Sequence, residues 1–448
     1  MSSHFTIHNY LLDNRSMKKL IILSLISLFA ISCSSSNNEP FETVDTTSKL
    51  AALLDTSKSY HTLDVHYDDE YFFLDSSKFN IDLAKLSYTL ANANTSLEWV
   101  SEYFTNLPFD NFHASKAYTE GNTNNSHSMF LAHRKIRDYD LVSISFLGGD
   151  YGREWVSNFD VGESGDHAGF SYSASNAIEE LKEYLSIYNK NNIKLWLTGY
   201  SRGGALSNVL ASRIPDQLNI NPKNIYAYTF EAPRGIEKSN LKNYKNVFNI
   251  VNSYDIVQAL LPEKYNLYRE GIDIDIYQPN FTDYMKELIP SIAERSFVPE
   301  ENHPTAKEFL NDFMNTILDI KGGSISISDR KTYVKNLQEP LKEFASIIGQ
   351  FSFPALMEIG NEFSSFTVSD MLSLLSGDGF YNYLKPILDR YGIEYTEDTL
   401  KPALKKITSV LMNYYISLRD FTAYSGNLIN MVLMHIPEYN LVLLDHYE

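Results

Sequence analysis

The sequence predicts an α/β fold with a mainly parallel central sheet, and three features of its 448 residues support this. Four short apolar runs, DLVSISF at 140–146, IKLWLTG at 193–199, NIYAYTF at 224–230 and NVFNIVN at 246–252, read as strands. Helical patterns alternate with them: 172–188 sets Ile178, Leu181, Leu185 and Tyr188 on one face, and GGALSNVLASRI follows at 203–214. The composition, 44% hydrophobic, 13% aromatic and 21% charged, is that of a folded globular chain.

From the N-terminus, MKKLIILSLISLFAISC at 17–33 has two lysines, an apolar run over 20–31 and then cysteine. This predicts a secretion signal with Met17 as the start, and Cys33 at the position where a lipoprotein signal peptidase cuts and a diacylglycerol is attached. The competing reading is a plain signal peptide that happens to contain a cysteine. As the single cysteine, Cys33 excludes an intrachain disulfide. The polar stretch from 34 to 60 reads as a flexible tether. Ser34 is unlike the Asp that retains lipoproteins in the inner membrane, so the expected location is the outer membrane of a Gram-negative envelope. The formal charge of −18 becomes more negative once a basic leader is removed, which disfavours nucleic acid as a partner.

The stretch 80–104, with Leu83, Leu86 and Leu90 at helical spacing, predicts an amphipathic helix. It is the N-terminal helical region of an α/β core expected over 61–280. Between its second strand and the next helix stands GYSRG, where Gly199 and Gly203 flank Ser201. A strand–turn–helix setting gives this pattern its meaning. The serine is forced into a strained turn that exposes Oγ, and a side chain at either glycine collides with the neighbouring backbone. The bland alternative is Ser201 as an ordinary helix N-cap.

Further motifs flank this turn. FLGGDYGREWVSNFD at 146–160 resembles an F-R-G-T segment followed by Trp155 and Asn158; HAGF at 167–170 resembles H-x-G-F; TFEAPRG at 229–235 resembles T-F-G-x-P-R; and NIVNSYDIVQALLP at 249–262 resembles V-N-x-x-D-x-V-P-x-L-P. With these matches the chain resembles the class 3 lipase family of α/β-hydrolases over 140–262. The resemblance implies an α/β-hydrolase fold with a catalytic triad of Ser201, Asp255 and a later histidine. Asp255 occupies the acid position; its alternative role is to cap a helix starting at Ile256. For the base, His435 in HIPEY is preferred because that stretch is similar to the His-x-Pro-Glu of bacterial relatives. His303 is the runner-up, and His446, near the end of the chain, is read as frayed. His167 precedes the acid and is excluded by order.

An acyl-transfer site also needs backbone N–H donors for an oxyanion, here Arg202 and Gly149. Leu147 and Gly149 replace the Arg and Thr of F-R-G-T, so no side-chain hydroxyl supplements the Gly149 amide. Losing one such donor costs ~2.7–4 kcal/mol.

The separation of 180 positions from Asp255 to His435 exceeds what one strand and one helix require. The stretch 281–425 is therefore expected to be a helical cap, either a moving lid or a subdomain with its own core, and 426–448 the core segment carrying His435. No metal motif, Walker loop or dinucleotide fingerprint is present, and hydrolysis needs no cofactor. The expected function is an anchored serine hydrolase of esters or acyl lipids. The alternative is a surface lipoprotein that uses a hydrolase fold for binding.

Overall fold

The computed structural model describes residues 40–448 except 56, 121–126, 149–152, 289–303, 312–328, 353–354, 357–358, 360–361, 363–365, 418–430 and 448. Cys33 and the leader thus lie outside the described residues. Glu42–Glu448 form one compact unit; of the other unit, Met1–Phe41, only Pro40 and Phe41 are described.

Part of the expected tether is a strand. β1 (Thr43–Ala51) pairs antiparallel with β2 (Tyr60–Asp68) from Thr43↔Asp68 to Ala51↔Tyr60. The alternation explains it: His61, Leu63, Val65 and Tyr67 are buried while the residues between them are exposed, a period of two hidden among polar side chains. The helix expected over 80–104 is two helices, α1 (Ile81–Ala93) and α2 (Leu97–Thr105). Asn80 caps the first by accepting from the amides of Asp82 and Leu83, and Ser96 caps the second by accepting from Trp99. The polar break between them supplies a new cap rather than continuing the first helix.

The central sheet has seven strands. β3 (Asp110–Ala114) and β4 (Met129–Ile136) lead into β5 (Tyr139–Phe146), followed by α3 (Ala168–Leu185), β6 (Ile193–Tyr200), α4 (Arg202–Leu218), β7 (Ile225–Phe230) and the short β8 (Ile236–Glu237). Then come β9 (Val247–Val251), α5 (Ile256–Ala259), β10 (Leu267–Tyr268) and β11 (Ile272–Asp275). The order is β11-β9-β7-β6-β5-β4-β3, parallel from β11 to β5 and antiparallel at β4 and β3.

β6 is buried along its whole length because both of its faces are covered. Ile193, Leu195 and Leu197 join the core under α3 and α4, with Ile178, Leu181, Leu206 and Val209. The alternate residues face α1: Trp196 Nε1–H donates to Ser87 Oγ at 2.8 Å, and the Thr198 hydroxyl donates to the Ser87 carbonyl at 3.0 Å. Each large apolar side chain buried this way contributes roughly 1.5–3 kcal/mol. The strand is thereby clamped so that its C-terminal end, where Ser201 follows, has little freedom.

Beyond α6 (Phe281–Leu288), the insertion is helical where it is described, with α7 (Glu339–Ile348), α8 (Gly379–Tyr391) and α9 (Glu397–Ser417) preceding α10 (Pro437–Asp445). It has its own apolar core, with Leu337, Ile347, Phe351, Leu384, Leu388 and Leu404, which continues into Val161, Tyr265 and Leu267 of the sheet half. A polar clamp completes the joint. Buried Arg330 donates to the carbonyls of Val161 (2.5 Å), Gly162 (2.6 Å), Ser164 (3.3 Å), Gly165 (2.6 Å) and Asp166 (3.1 Å). Gln338, in a π-helical turn, accepts from the Val161 and Gly162 amides. Among the described residues no helix is long and apolar enough to cross a membrane.

Candidate active site

The turn from β6 into α4 sets Ser201 at φ 54°, ψ −123°, a conformation that costs a non-glycine residue energy. The sequence has little alternative there. A Cβ on Gly199 meets the Gly203 backbone at 2.4 Å, and one on Gly203 meets the Phe146 carbonyl oxygen at 2.5 Å. Both glycines are required by close backbone approach, and the serine between them takes up the strain. Ser201 N–H donates to the Phe230 carbonyl at 2.8 Å, fastening the turn to β7. Ser201 holds the N-cap position of α4 but makes no side-chain capping bond. Its hydroxyl therefore serves another partner.

That partner is His435. Its Nε2 lies 2.8 Å from Ser201 Oγ and its Nδ1 lies 2.6 Å from Asp255 Oδ2. Asp255 has only acceptor oxygens when ionised, so Nδ1 carries the proton and Nε2 presents its lone pair to the serine hydroxyl. Asp255 is fully buried. Its Oδ1 accepts the Val257 amide at 2.7 Å, capping α5. One oxygen thus caps a helix and the other holds the histidine.

His435 sits in a turn just ahead of α10, with its side chain 21% exposed, so the ring is reachable from solvent while its carboxylate partner is not. The Tyr200 hydroxyl donates to the His435 carbonyl at 2.9 Å and accepts from Asn440 at 2.7 Å. Burial pushes the Tyr200 phenol well above its ordinary range, so it remains a donor. The other histidines sit elsewhere. His303 lies outside the described residues. His446 is packed, not frayed: it stacks on Tyr284 at 3.7 Å and donates from Nδ1 to the Val442 carbonyl at 2.9 Å. His167 is fully buried, accepts the Phe170 amide as the cap of α3 and donates to the Asn158 carbonyl, and burial lowers its pKa to about 3.

Of the two expected oxyanion donors, Arg202 is the first residue of α4, where helix N–H groups lack intrahelical acceptors. Gly149 lies outside the described residues. Its strand is well placed, since β5 runs parallel to β6 with Phe146 opposite Gly199, and a Cβ on Gly148 falls 3.2 Å from the Tyr200 carbonyl oxygen. What sequence reading missed is the Arg202 side chain. It is buried, donates to Asn158 Oδ1 at 3.0 Å and Ser173 Oγ at 3.1 Å, and lies 3.6 Å from Glu154. It ties the residue after Ser201 to the segment that follows β5. The available signal was an arginine at the first position of a helix otherwise opening on small residues, where a charge must be buried with partners.

A cavity of about 310 Å³ lies beside α5, lined by Arg234, Ser253, Gln258, Arg269 and Lys307 among others, but by none of the three relay residues. Among the described residues no group of His, Cys, Asp and Glu is arranged to hold a metal ion.

Residues 143–265 match the family model Lipase (class 3). No curated protein matches the chain. Among solved structures, a fungal lipase–inhibitor complex is 19% identical, over 44% of this chain and 80% of its own, with a TM-score of 0.35. Rhizomucor miehei triacylglyceride lipase is 17% identical over 48% of this chain and 92% of its own, with a TM-score of 0.35. Lipase II from Rhizopus niveus is 16% identical over 43% and 78%, with a TM-score of 0.33. A serine and a carboxylate within the matched segment, joined in one hydrogen-bonded line by an imidazole from outside it, are the parts of a serine ester hydrolase. The segment that matches the class 3 lipase model, residues 143–265, holds Ser201, the strand ends around it and Asp255.

Proposed function

We propose that the protein is a lipase- or esterase-like hydrolase of carboxylic esters, anchored to the cell envelope through Cys33, that works through an acyl-enzyme on Ser201. The relay from Asp255 through His435 to Ser201 Oγ is the observation that carries this reading. His435 Nε2 takes the hydroxyl proton as Oγ attacks the ester carbonyl, and the carbonyl electron pair moves onto oxygen. The Arg202 amide, with the Gly149 amide as its counterpart, receives that oxyanion. The imidazolium, stabilised by Asp255, returns the proton to the leaving alkoxide. Water then attacks the acyl-enzyme with His435 again as base, releasing the acid and restoring the serine.

Anchoring rests on the 17–33 leader ending in the single cysteine, and the outer membrane on Ser34. The helical insertion packs on Val161, Tyr265 and Leu267, and its Arg330 holds the carbonyls of Val161 and Gly162 after β5, which suits a wall for the acyl group. Two measurements test these assignments. p-Nitrophenyl esters of graded chain length should give a burst of nitrophenol equal to one per active site, with acyl recovered on Ser201; a folded protein without turnover would favour the binding alternative. Radiolabelled palmitate should enter the wild type and not Cys33→Ser, and equal labelling of both would remove the anchor.

A further inference from the structure

A second buried carboxyl stands against the relay. Glu231 directly follows β7, in TFEAPRG, at the position where T-F-G-x-P-R has glycine. Its backbone has φ +49°, a region where glycine rests without strain and glutamate does not. The side chain is 1% exposed. Oε1 accepts the Asn252 amide at 2.8 Å, and the Asn252 carbonyl accepts the Asp255 amide at 2.9 Å, so one residue links the two buried acids. Oε2 has no donor among the described residues.

Two neighbouring carboxyl groups out of water do not both stay charged; they share a proton. The hydrogen bonds decide which one holds it. Asp255 already receives two donors, the Val257 amide and His435 Nδ1–H. Glu231 receives one, on Oε1, and its Oε2 receives none among the described residues. We infer that Glu231 is a positioning residue, protonated on Oε2, which donates to the Asp255 carboxylate and holds it in line with His435. This rests on the hydrolase reading above. In agreement, burial and the neighbouring Asp255 charge push the Glu231 carboxyl well above its ordinary range, with Arg269 and the Asn252 amide opposing. The titratable and charged groups facing it are Asp255, Tyr88, Tyr200 and Arg269, with His435 beyond Asp255. Both tyrosines are pushed up by burial.

The test compares wild type, Glu231→Gly and Glu231→Gln with p-nitrophenyl butyrate across pH, alongside thermal midpoints and fluorophosphonate labelling of Ser201. Glycine relieves the backbone strain, so Glu231→Gly should keep its thermal midpoint yet lose on the order of ten- to a hundredfold in kcat/KM, the size of one lost hydrogen bond to a charged group. Glutamine keeps both an acceptor and a donor and should recover most of that loss. It should also abolish the alkaline fall that follows when Glu231 loses its proton beside Asp255. A Glu231→Gly enzyme that matches wild type, or a folded Glu231→Gln enzyme no better than glycine, overturns the role while leaving the hydrolase standing. If the glycine variant does not fold, an unchanged alkaline limb in Glu231→Gln overturns it. A wild type that neither labels at Ser201 nor turns over overturns the hydrolase reading first, and this role with it.

Discussion

The two sides of the relay are held in different ways. On the serine side the constraint is steric and local: Gly199, Ser201 and Gly203 lie within one turn, and the neighbouring backbone leaves no room for a Cβ at either glycine. On the histidine side it is polar and distant. His435 is held by Asp255, 180 residues earlier, and by the Tyr200 hydroxyl, 235 residues earlier. Three residues beyond it, fully buried Glu438 accepts the amides of Leu53 and Leu54 and so ties the end of the chain to its beginning. Steric constraints leave a mark in a few consecutive letters. Hydrogen bonds across hundreds of residues do not.

Substitutions on each side should expose this difference. The largest effect is expected at the reacting atoms: Ser201→Ala or His435→Ala should lower kcat by roughly a millionfold without shifting the denaturant midpoint, as measured by ester hydrolysis beside urea titration. Gly199→Ala should act through the fold instead, costing about 3 kcal/mol or more by overpacking, seen as a lower urea midpoint. Arg330→Ala removes the guanidinium that five carbonyls surround and should loosen the insertion by about 3 kcal/mol. The readout is faster hydrogen exchange over 330–417 with Ser201 still reactive; a uniform loss of protection would mean that cap and sheet unfold together. Tyr200→Phe cuts one support of His435 and should cost roughly tenfold in kcat/KM, about 1–1.5 kcal/mol.

The smallest effect is one of pH. His167 has a folded pKa of about 3 against 6.5 when free, so between these values the unfolded chain binds a proton that the native chain does not. Its contribution to stability is complete above about pH 6.5 and is lost as the pH falls toward 3. Thermal midpoints measured down this range should fall more steeply for wild type than for His167→Asn, which keeps a capping side chain.

The same contrast explains what could be read from sequence. The strands at 140–146, 193–199, 224–230 and 246–252 were legible because continuous apolar runs report burial on both faces. The Ser201 turn was legible because its glycines are sterically required. β1 was not, since Thr43–Ala51 carries its pattern on Val44, Thr46, Ser48 and Leu50, with a single strongly apolar residue buried. The division between α1 and α2 hid in Asn94, Thr95 and Ser96, which read as tolerable within a helix until Ser96 is seen to cap a new one. His435 was chosen over His303 by resemblance, not by any local pattern. The partners of the Arg202 side chain, Asn158, Ser173 and Glu154, have no short-range signature at all. Glu231 did leave one, a charged residue where the related motif has glycine, and its meaning became visible only beside Asp255.

The most direct measurement is fluorophosphonate labelling of wild type, His435→Ala and His303→Ala, with the adduct located by peptide mass spectrometry. If Ser201 is activated by His435 across those 180 residues, the adduct forms on Ser201 in wild type and in His303→Ala and disappears in His435→Ala. An adduct that persists in His435→Ala, or is lost only with His303, would contradict that activation.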